Sequence, residues 1–282
     1  MNIKLRLLPT LLWSFAIFTA LAPVCVLAGG NTKTVTETVE LGDGALIEVV
    51  GENAEVRVHS VRSSSIEISV TMNNEEFVDF YTQTLYGNPA THLIISATTS
   101  TGGATTANSL IEIGIPAGVE LSVQTTNRPI MVDGVSVTSA TLSTSDGKIT
   151  VTNSVGNFEL STTNSEVTVQ AVDGVVNIAT TNAHVWFEGV INEGSTAIST
   201  TNGDIAVRLG DNSNVSVTGS THNGDVTVNG ASDDSGIVRQ GDTATVSYRV
   251  DDGTATLNIT NGPGAIHINP DIIAVFDSDG DS

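Results

Sequence analysis

Cysteine, aromatic residues and basic residues are all scarce in this chain of 282 residues. It has one cysteine, Cys25, and only 4% of its residues are aromatic. A single cysteine cannot form a disulfide within the chain, so stability has to come from packing and backbone hydrogen bonds. The chain also lacks any long segment with apolar residues at helical spacing, and it is rich in Val, Thr, Ile, Asn, Gly and Ser. This composition predicts an all-β protein.

The shortage of basic residues limits the partners. Lys and Arg number 10 against 31 Asp and Glu, which gives a net charge of −21 at pH 7. A surface that binds phosphate groups needs a basic patch, and so few scattered cations cannot supply one. We therefore exclude nucleic acids and anionic lipid surfaces as partners.

The N-terminal residues have the pattern of a secretory signal peptide. Lys4 and Arg6 precede an apolar run from Leu7 to Leu21, and a Val-Leu-Ala sequence ending at Ala28 fits a cleavage site. We predict that residues 1–28 are removed. A membrane anchor is the alternative, but the run is shorter than the roughly 20 apolar residues that a spanning helix needs. The mature protein is then periplasmic, surface-displayed or secreted, without a transmembrane anchor.

One short motif recurs through the second half of the chain. It reads Thr-Thr-Asn or a close variant, and its Asx residues are Asn127, Asp146, Asn164, Asn182, Asn202 and Asn223. Successive Asx residues are 19, 18, 18, 20 and 21 positions apart. An apolar-x-apolar pair follows each motif, as in Ile205 and Val207, and this alternation predicts a strand with one buried face. The Asx residue, often followed by Gly, predicts a turn with positive φ.

These units predict a parallel β-solenoid with coils of about 18–21 residues. One unit cannot bury its apolar face alone, but coils stacked about 4.7–4.9 Å apart would place each Val or Ile over its counterpart. The six Asx residues would then form a structural ladder along one corner. A sandwich or meander of hairpins is the alternative, because Asn-Gly is also a hairpin signal. A sandwich, however, gives no reason for a near-constant period.

The repeat also divides the chain. We predict a less regular N-terminal β region over residues 29–110, with degenerate coils and an irregular insertion at 75–85. Solenoid repeats then occupy residues 111–269, and the last, degenerate coil contains Asn261. Residues 270–282 form an acidic tail, which we predict to be disordered.

The sequence resembles a known family. The run Ile111–Leu121, followed by repeats of the form Thr-Thr-Asn-Gly-Asp-Ile-x-Val as at residues 200–207, is similar to the bacterial "putative adhesin" family, a domain of unknown function. The resemblance covers roughly residues 40–230. It implies a β-solenoid at the cell envelope and offers no catalytic residues. Arg128-Pro129 and Ala183-His184 depart from the family pattern, which has Gly-Asp at this place.

Catalytic motifs are missing from the sequence. The serines do not lie in a Gly-x-Ser-x-Gly setting and the five histidines form no HExxH pattern. A carbohydrate-active β-helix would need paired carboxylates in a groove. Asp204 and Asp225 occupy equivalent coil positions, but Lys148 and His184 interrupt their column, and short, uniform coils leave no cleft-forming loops. We predict a protein that is not an enzyme and needs no cofactor.

The tail holds the only metal candidates, and they are weak. Asp277, Asp279 and Asp281 alternate like the first ligands of a calcium loop, but the later Glu of such a loop is missing. We predict that calcium is peripheral to the fold.

Trp186 is the candidate binding residue. Val185 and Phe187 take inward positions, so alternation points Trp186 outward, with His184 on the same face. Small residues in the adjacent coils would leave the indole ring exposed. An exposed aromatic ring can stack on a sugar or anchor a protein contact, and the alternative is that it packs under a loop or in a dimer seam.

These observations predict an exported, non-enzymatic, adhesin-like module that binds an envelope or surface glycan or protein. A structural scaffold without a specific ligand and a carbohydrate-active enzyme remain the alternatives. The sequence leaves the oligomeric state open.

Overall fold

The computed structural model of the chain describes residues 25–29, 32–99, 107–229 and 236–269. Their regular structure consists of 23 strands and one 3-10 helix, Glu75–Phe77. Among these residues, no helix has the length and apolar character needed to span a membrane. The prediction of an all-β protein is confirmed.

The strands fall into three groups along the chain. The first group is β1 Cys25–Gly29, β2 Thr32–Gly51, β3 Ala54–Ser60, β4 Ser65–Asn73, β5 Val78–Leu85, β6 Ala90–Thr99 and β7 Asn108–Ile115. The central group is β8 Val119–Thr125, β9 Ile130–Asp133, β10 Ser136–Thr144, β11 Ile149–Thr152, β12 Val155–Thr162, β13 Val167–Asp173, β14 Val176–Thr180, β15 Val185–Val190, β16 Ser195–Thr200 and β17 Ile205–Leu209. The last group is β18 Val215–His222, β19 Val226–Val228, β20 Val238–Gln240, β21 Thr243–Arg249, β22 Ala255–Asn261 and β23 Ile266–Ile268.

Most of these strands belong to two parallel ladders. The first ladder has the order β6-β2-β8-β10-β12-β14-β16-β22-β18. The second ladder has the order β7-β3-β9-β11-β13-β15-β17-β23-β19. Alternate Val, Ile and Leu side chains from both ladders form one buried core cluster. Each fully buried side chain of this kind contributes roughly 1.5–3 kcal/mol, so the apolar face holds the stack together.

The register in the centre of the second ladder follows the repeat. Ile130, Ile149, Val167, Val185 and Ile205 are paired in succession. These partners are 19, 18, 18 and 20 positions apart. Each inward residue therefore lies beside its counterpart in the next unit, as the motif spacing predicts.

The order of the units differs from the chain order at both ends. The unit β2–β3 lies between β6–β7 and β8–β9. Asn53 is therefore a direct neighbour of Asn127, although the two are 74 positions apart in the sequence. Likewise, the unit β22–β23 lies between β16–β17 and β18–β19. The expectation that the coil of Asn223 stacks directly on that of Asn202 is wrong, because residues 255–268 intervene.

Antiparallel strands cover parts of both ends. At one end β4 pairs with β2 and β7, and β5, which follows the short helix in the expected insertion, pairs with β6. At the other end β21 pairs with β18, and β20 pairs with β21. Such pairing satisfies backbone groups that an open parallel ladder would leave exposed. Strand β1 pairs with the start of β2 and includes the cleavage point expected after Ala28.

Candidate functional site

Each central unit turns twice, and the first turn carries a ladder of side-chain amides that we call the amide corner. Its members are Asn127, Asp146, Asn164, Asn182 and Asn202. Asn182 Nδ2 donates to Asn164 Oδ1 at 2.8 Å, and Asn202 Nδ2 donates to Asn182 Oδ1 at the same distance. Asn164 Nδ2 donates to Asp146 Oδ1 at 2.6 Å. From Asp146 to Asn202 the corner residues therefore bind one another from unit to unit, while Asn127 Nδ2 donates to Asn53 Oδ1 at 2.8 Å.

Asn223 departs from this ladder. It is the only one of the six predicted corner residues with a positive φ, 61°, and its backbone N–H donates to Asp242 O at 2.6 Å. The positive φ expected at the other five is absent. The glycines that follow some of the corner residues are required for another reason. A Cβ on Gly147 or Gly203 would overlap a backbone carbonyl of the preceding unit. Close approach of two backbones, rather than φ, requires glycine there.

Threonine hydroxyl groups close the amide corner from inside. Thr125 is buried and its Oγ1 lies 3.0 Å from Thr144 Oγ1 and donates to Arg128 O at 2.9 Å. Thr200 Oγ1 donates to Ala183 O at 3.1 Å. At Thr125 and Thr200 these bonds satisfy a buried polar atom, which favours Thr over Val, a residue of similar shape; the buried hydroxyl of Thr180 has no such bond.

The second turn of each unit, which we call the opposite corner, is variable. Two residues connect the strands at 134–135, 153–154 and 174–175, but four do so at 191–194 and five at 210–214. Strand β13 also has a register shift between Gln170 and Val172, with Ala171 at φ 52°. The expectation of uniform coils without cleft-forming loops is therefore wrong at this corner.

A groove of about 590 Å³ lies where the connections lengthen. Its apolar lining comes from Ala171, Val172, Gly189, Val190 and Gly210, and its polar lining from Gln170, Asp173, Glu188, Asn192 and Asn212. We call it the corner groove.

The walls of the corner groove are tied together. Buried Ile191 anchors the first long connection, and its N–H donates to Ser213 Oγ, also buried, at 3.2 Å. Asn214 N donates to Ile191 O at 2.8 Å, and Gly210 N to Gly189 O at 2.8 Å. These contacts join residues of both long connections, so the groove is formed by the fold itself.

Trp186 does not have the exposure expected from the sequence. Its ring is 5% exposed, and Ala206, its neighbour on the next strand, is fully buried although it faces the same way. Ala206 is paired with Trp186 on one side and with His267 on the other, so it lies between two large side chains. The expectation of an exposed ring is wrong, because alternation gives the direction of a side chain but not its cover.

His184 belongs to a column of charged and polar groups beside Trp186. Its Nδ1 accepts a hydrogen bond from Asp204 N at 3.0 Å and lies 3.7 Å from Asp204 Oδ2. Asp204 Oδ1 in turn accepts from Ala265 N at 2.7 Å. In the same column Lys148 Nζ lies 3.1 Å from Glu166 Oε1. Basic and acidic residue types therefore alternate here, in place of an acidic stripe.

Glu166 is held in its charged form. Partial burial raises the pKa of this carboxyl group. Hydrogen bonds from Thr168 and Lys148, together with the charge of Lys148, lower the pKa by more than burial raises it. The net pKa lies below its ordinary value. The ion pair between Lys148 and Glu166 stabilises the ladder electrostatically. Its two groups are not arranged for proton transfer.

Among the described residues, no group of three or more His, Cys, Asp or Glu side chains is placed to hold a metal ion. Asp277, Asp279 and Asp281 lie outside the described residues.

Sequence reasoning missed the corner groove, although one signal pointed to it. The interval between motifs grows from 18 to 20 and 21 residues in the part of the chain that forms the long connections. It also missed an aromatic feature at the N-terminal end of the stack, where Tyr81 and Tyr86 are 53% and 73% exposed. Tyr81 lies in β5, within the insertion predicted at 75–85, and Tyr86 directly follows that strand.

The chain matches the model of a known family. The family described as Toastrack DUF4097 matches residues 31–260. No curated protein sequence matches the chain at a significant level.

Several solved structures resemble the fold weakly. A "putative cell adhesion protein" from Clostridium sporogenes is 13% identical, with 84% of this chain and 98% of that chain covered and a TM-score of 0.44. A "putative adhesin" from Bacteroides fragilis is 7% identical, with coverages of 83% and 96% and a TM-score of 0.41. Another from Parabacteroides merdae is 10% identical, with coverages of 83% and 95% and a TM-score of 0.39. These similarities are too weak to transfer a function.

Proposed function

The chain belongs to the Toastrack DUF4097 family, an adhesin-like domain of unknown function, and we propose that it is an exported, non-enzymatic β-solenoid that binds a partner at the cell envelope or surface. The signal-like residues 1–28 support export. The parallel register at intervals of 18–20 residues in the central units supports the solenoid.

The corner groove carries the binding proposal. It lies where the opposite corner has connections of four and five residues, in place of the two residues found in the other central units. The amide corner keeps the same form throughout these units. A scaffold without a ligand needs no such difference between its corners. Preformed concave sites with a few polar groups are the usual form of binding sites.

Binding to intact envelopes tests this function. The labelled mature protein is incubated with envelopes of the producing bacterium, and saturable binding is measured by sedimentation. Asn192→Trp with Asn212→Trp would fill the groove, and we expect at least a tenfold loss of affinity. The control is Asn157→Trp, at an exposed position on the first ladder. Its binding should match that of the unchanged protein.

Three results would contradict the proposal. Failure of the unchanged protein to bind envelopes would favour the scaffold. Equal binding by the filled-groove variant and its control would move the site elsewhere. Release of reducing sugar from envelope polysaccharide, abolished by Asp173→Ala or Glu188→Ala, would favour the carbohydrate-active enzyme.

A further inference from the structure

We propose that the corner groove binds a neutral saccharide of one or two sugar rings. This inference rests on the proposed function and names the chemistry of its ligand. Its basis is the combination of groups that meet in the groove, their charge and the size of the space.

The polar lining suits sugar hydroxyl groups. Asp173 and Glu188 each offer two acceptor oxygens, and Gln170, Asn192 and Asn212 each offer a carbonyl acceptor beside an NH₂ donor. Each of these planar side chains presents two polar atoms side by side. That spacing matches two adjacent hydroxyl groups of a sugar ring, each of which can donate and accept.

The apolar lining suits the rest of the ring. Ala171 and Val190 contribute aliphatic carbon, and Gly210, which is half-buried, leaves its backbone accessible. A Cβ on Gly210 would meet Val190 Cγ2 at 2.9 Å, so larger residues there would narrow the space. Sugar rings carry C–H groups on their faces, and burying these against aliphatic carbon is favourable.

The charge of the groove selects among ligands. Its ionisable lining residues are both carboxylates, and the whole chain carries a net charge of −21. Acidic glycans and phosphorylated ligands would therefore be repelled. A basic peptide would be attracted, but three of the five polar lining side chains are neutral amides, and Arg208 Nη1 already lies 3.8 Å from Glu188 Oε1. This composition favours a neutral, hydroxyl-rich ligand.

The size of the groove fits one or two rings. Its volume of about 590 Å³ lies within the roughly 300–1,000 Å³ range of small-molecule sites. It lies at a corner rather than along a face, so it would bind a chain end or a short branch.

The test uses the whole mature protein and defined sugars. It is applied to an immobilised array of neutral, amino and acidic oligosaccharides, and the best neutral ligand is titrated by calorimetry. We expect at least one neutral glycan to bind saturably, with no acidic glycan stronger than it. Asp173→Ala and Asn212→Ala should each lower its affinity at least tenfold. Their matched controls are Glu159→Ala and Asn157→Ala, exposed residues on the first ladder, and these should leave affinity unchanged.

Other outcomes would overturn the inference. These are the absence of binding to any neutral glycan, equal losses in variants and controls, or stronger, salt-sensitive binding of an oligolysine peptide. If the filled-groove variant loses envelope binding while no glycan binds the unchanged protein, the proposed function stands and the saccharide inference fails. If glycans bind but envelopes do not, the envelope role fails and the saccharide site stands.

Discussion

The two corners of the stack make an instructive pair, because they join the same strands in different ways. The amide corner keeps one short motif through the central units, and its side chains bind each other along the stack. The opposite corner changes its length from two residues to five and forms a groove. One corner therefore fixes the register, which leaves the other free to vary without shifting the strands. The predictions below test this division of roles, from the largest expected effect to the smallest.

A methyl group added at each corner should have very different effects. On Gly203 at the amide corner it would overlap the carbonyl oxygen of Ala183, which is backbone and cannot move alone. We expect Gly203→Ala to lower the free energy of unfolding by about 4 kcal/mol, in the range of severe single changes. At the opposite corner, the tight contact of Gly210→Ala is with the side chain of Val190, while the backbone of Gly189 stays at ordinary contact distance, and a loss of about 1 kcal/mol is expected. Urea unfolding followed by circular dichroism measures both, and equal losses would contradict the division.

Trp186 tests how much stability resides between the corners. Removing its ring should uncover Ala206 and leave a void, so Trp186→Ala should cost about 3 kcal/mol, as for other buried aromatic residues. Met131 faces the same way and is 43% exposed, so Met131→Ala should stay within about 0.5 kcal/mol. Thermal unfolding of both variants gives the comparison. A loss below 1 kcal/mol for Trp186→Ala would restore the exposed ring expected from the sequence.

The amide ladder itself should have a moderate effect. Asn164 donates to Asp146 and accepts from Asn182, so Asn164→Ala removes both bonds and should cost about 1–2 kcal/mol. Asn192→Ala, in the long connection of the opposite corner, should cost less than about 0.5 kcal/mol. Chemical unfolding of the two variants measures the difference. If Asn192→Ala cost as much, the opposite corner would share in fixing the register.

Acid should weaken the charged column slightly. The pKa of Glu166 is below its ordinary value in the folded protein, so its contribution is present above an unfolded pKa of about 4.5 and is lost as pH falls through the folded value. Because the group is partly exposed, we expect less than about 1 kcal/mol. Glu166→Gln should reduce the difference in stability between pH 7 and pH 3. An unchanged difference would contradict this account.

The sequence predicted the centre of the fold better than its ends. The intervals between Asn127 and Asn202 give the register of the central units, because a stack needs the same inward residues at each step. Stack order at the ends is not encoded in this way. The residues of the unit 255–268 have the same alternation as those of the other units, so their pattern does not specify which units they pair with. The place of this unit between β16–β17 and β18–β19 depends on the path of the chain.

The candidate site was harder to predict for two physical reasons. Alternation identified the side of the strand on which Trp186 lies, but its burial depends on the packing of side chains from neighbouring strands, which alternation does not give. The corner groove is formed by residues from three units, Ala171, Gly189 and Gly210 among them. Their proximity follows only from the stacked register, whereas the sequence showed no more than a longer interval between motifs.

The interchanged units at the two ends have a mechanical consequence. In a stack wound in chain order, tension on either end would peel the last unit away one ladder at a time. Here β2 and β22, near the two ends of the described chain, each have parallel partners on both sides. Tension applied through these strands would load two rows of hydrogen bonds at once, partly in shear along the strands. The units nearest the two ends of the described chain are therefore expected to resist pulling better than a unit at the edge of a ladder.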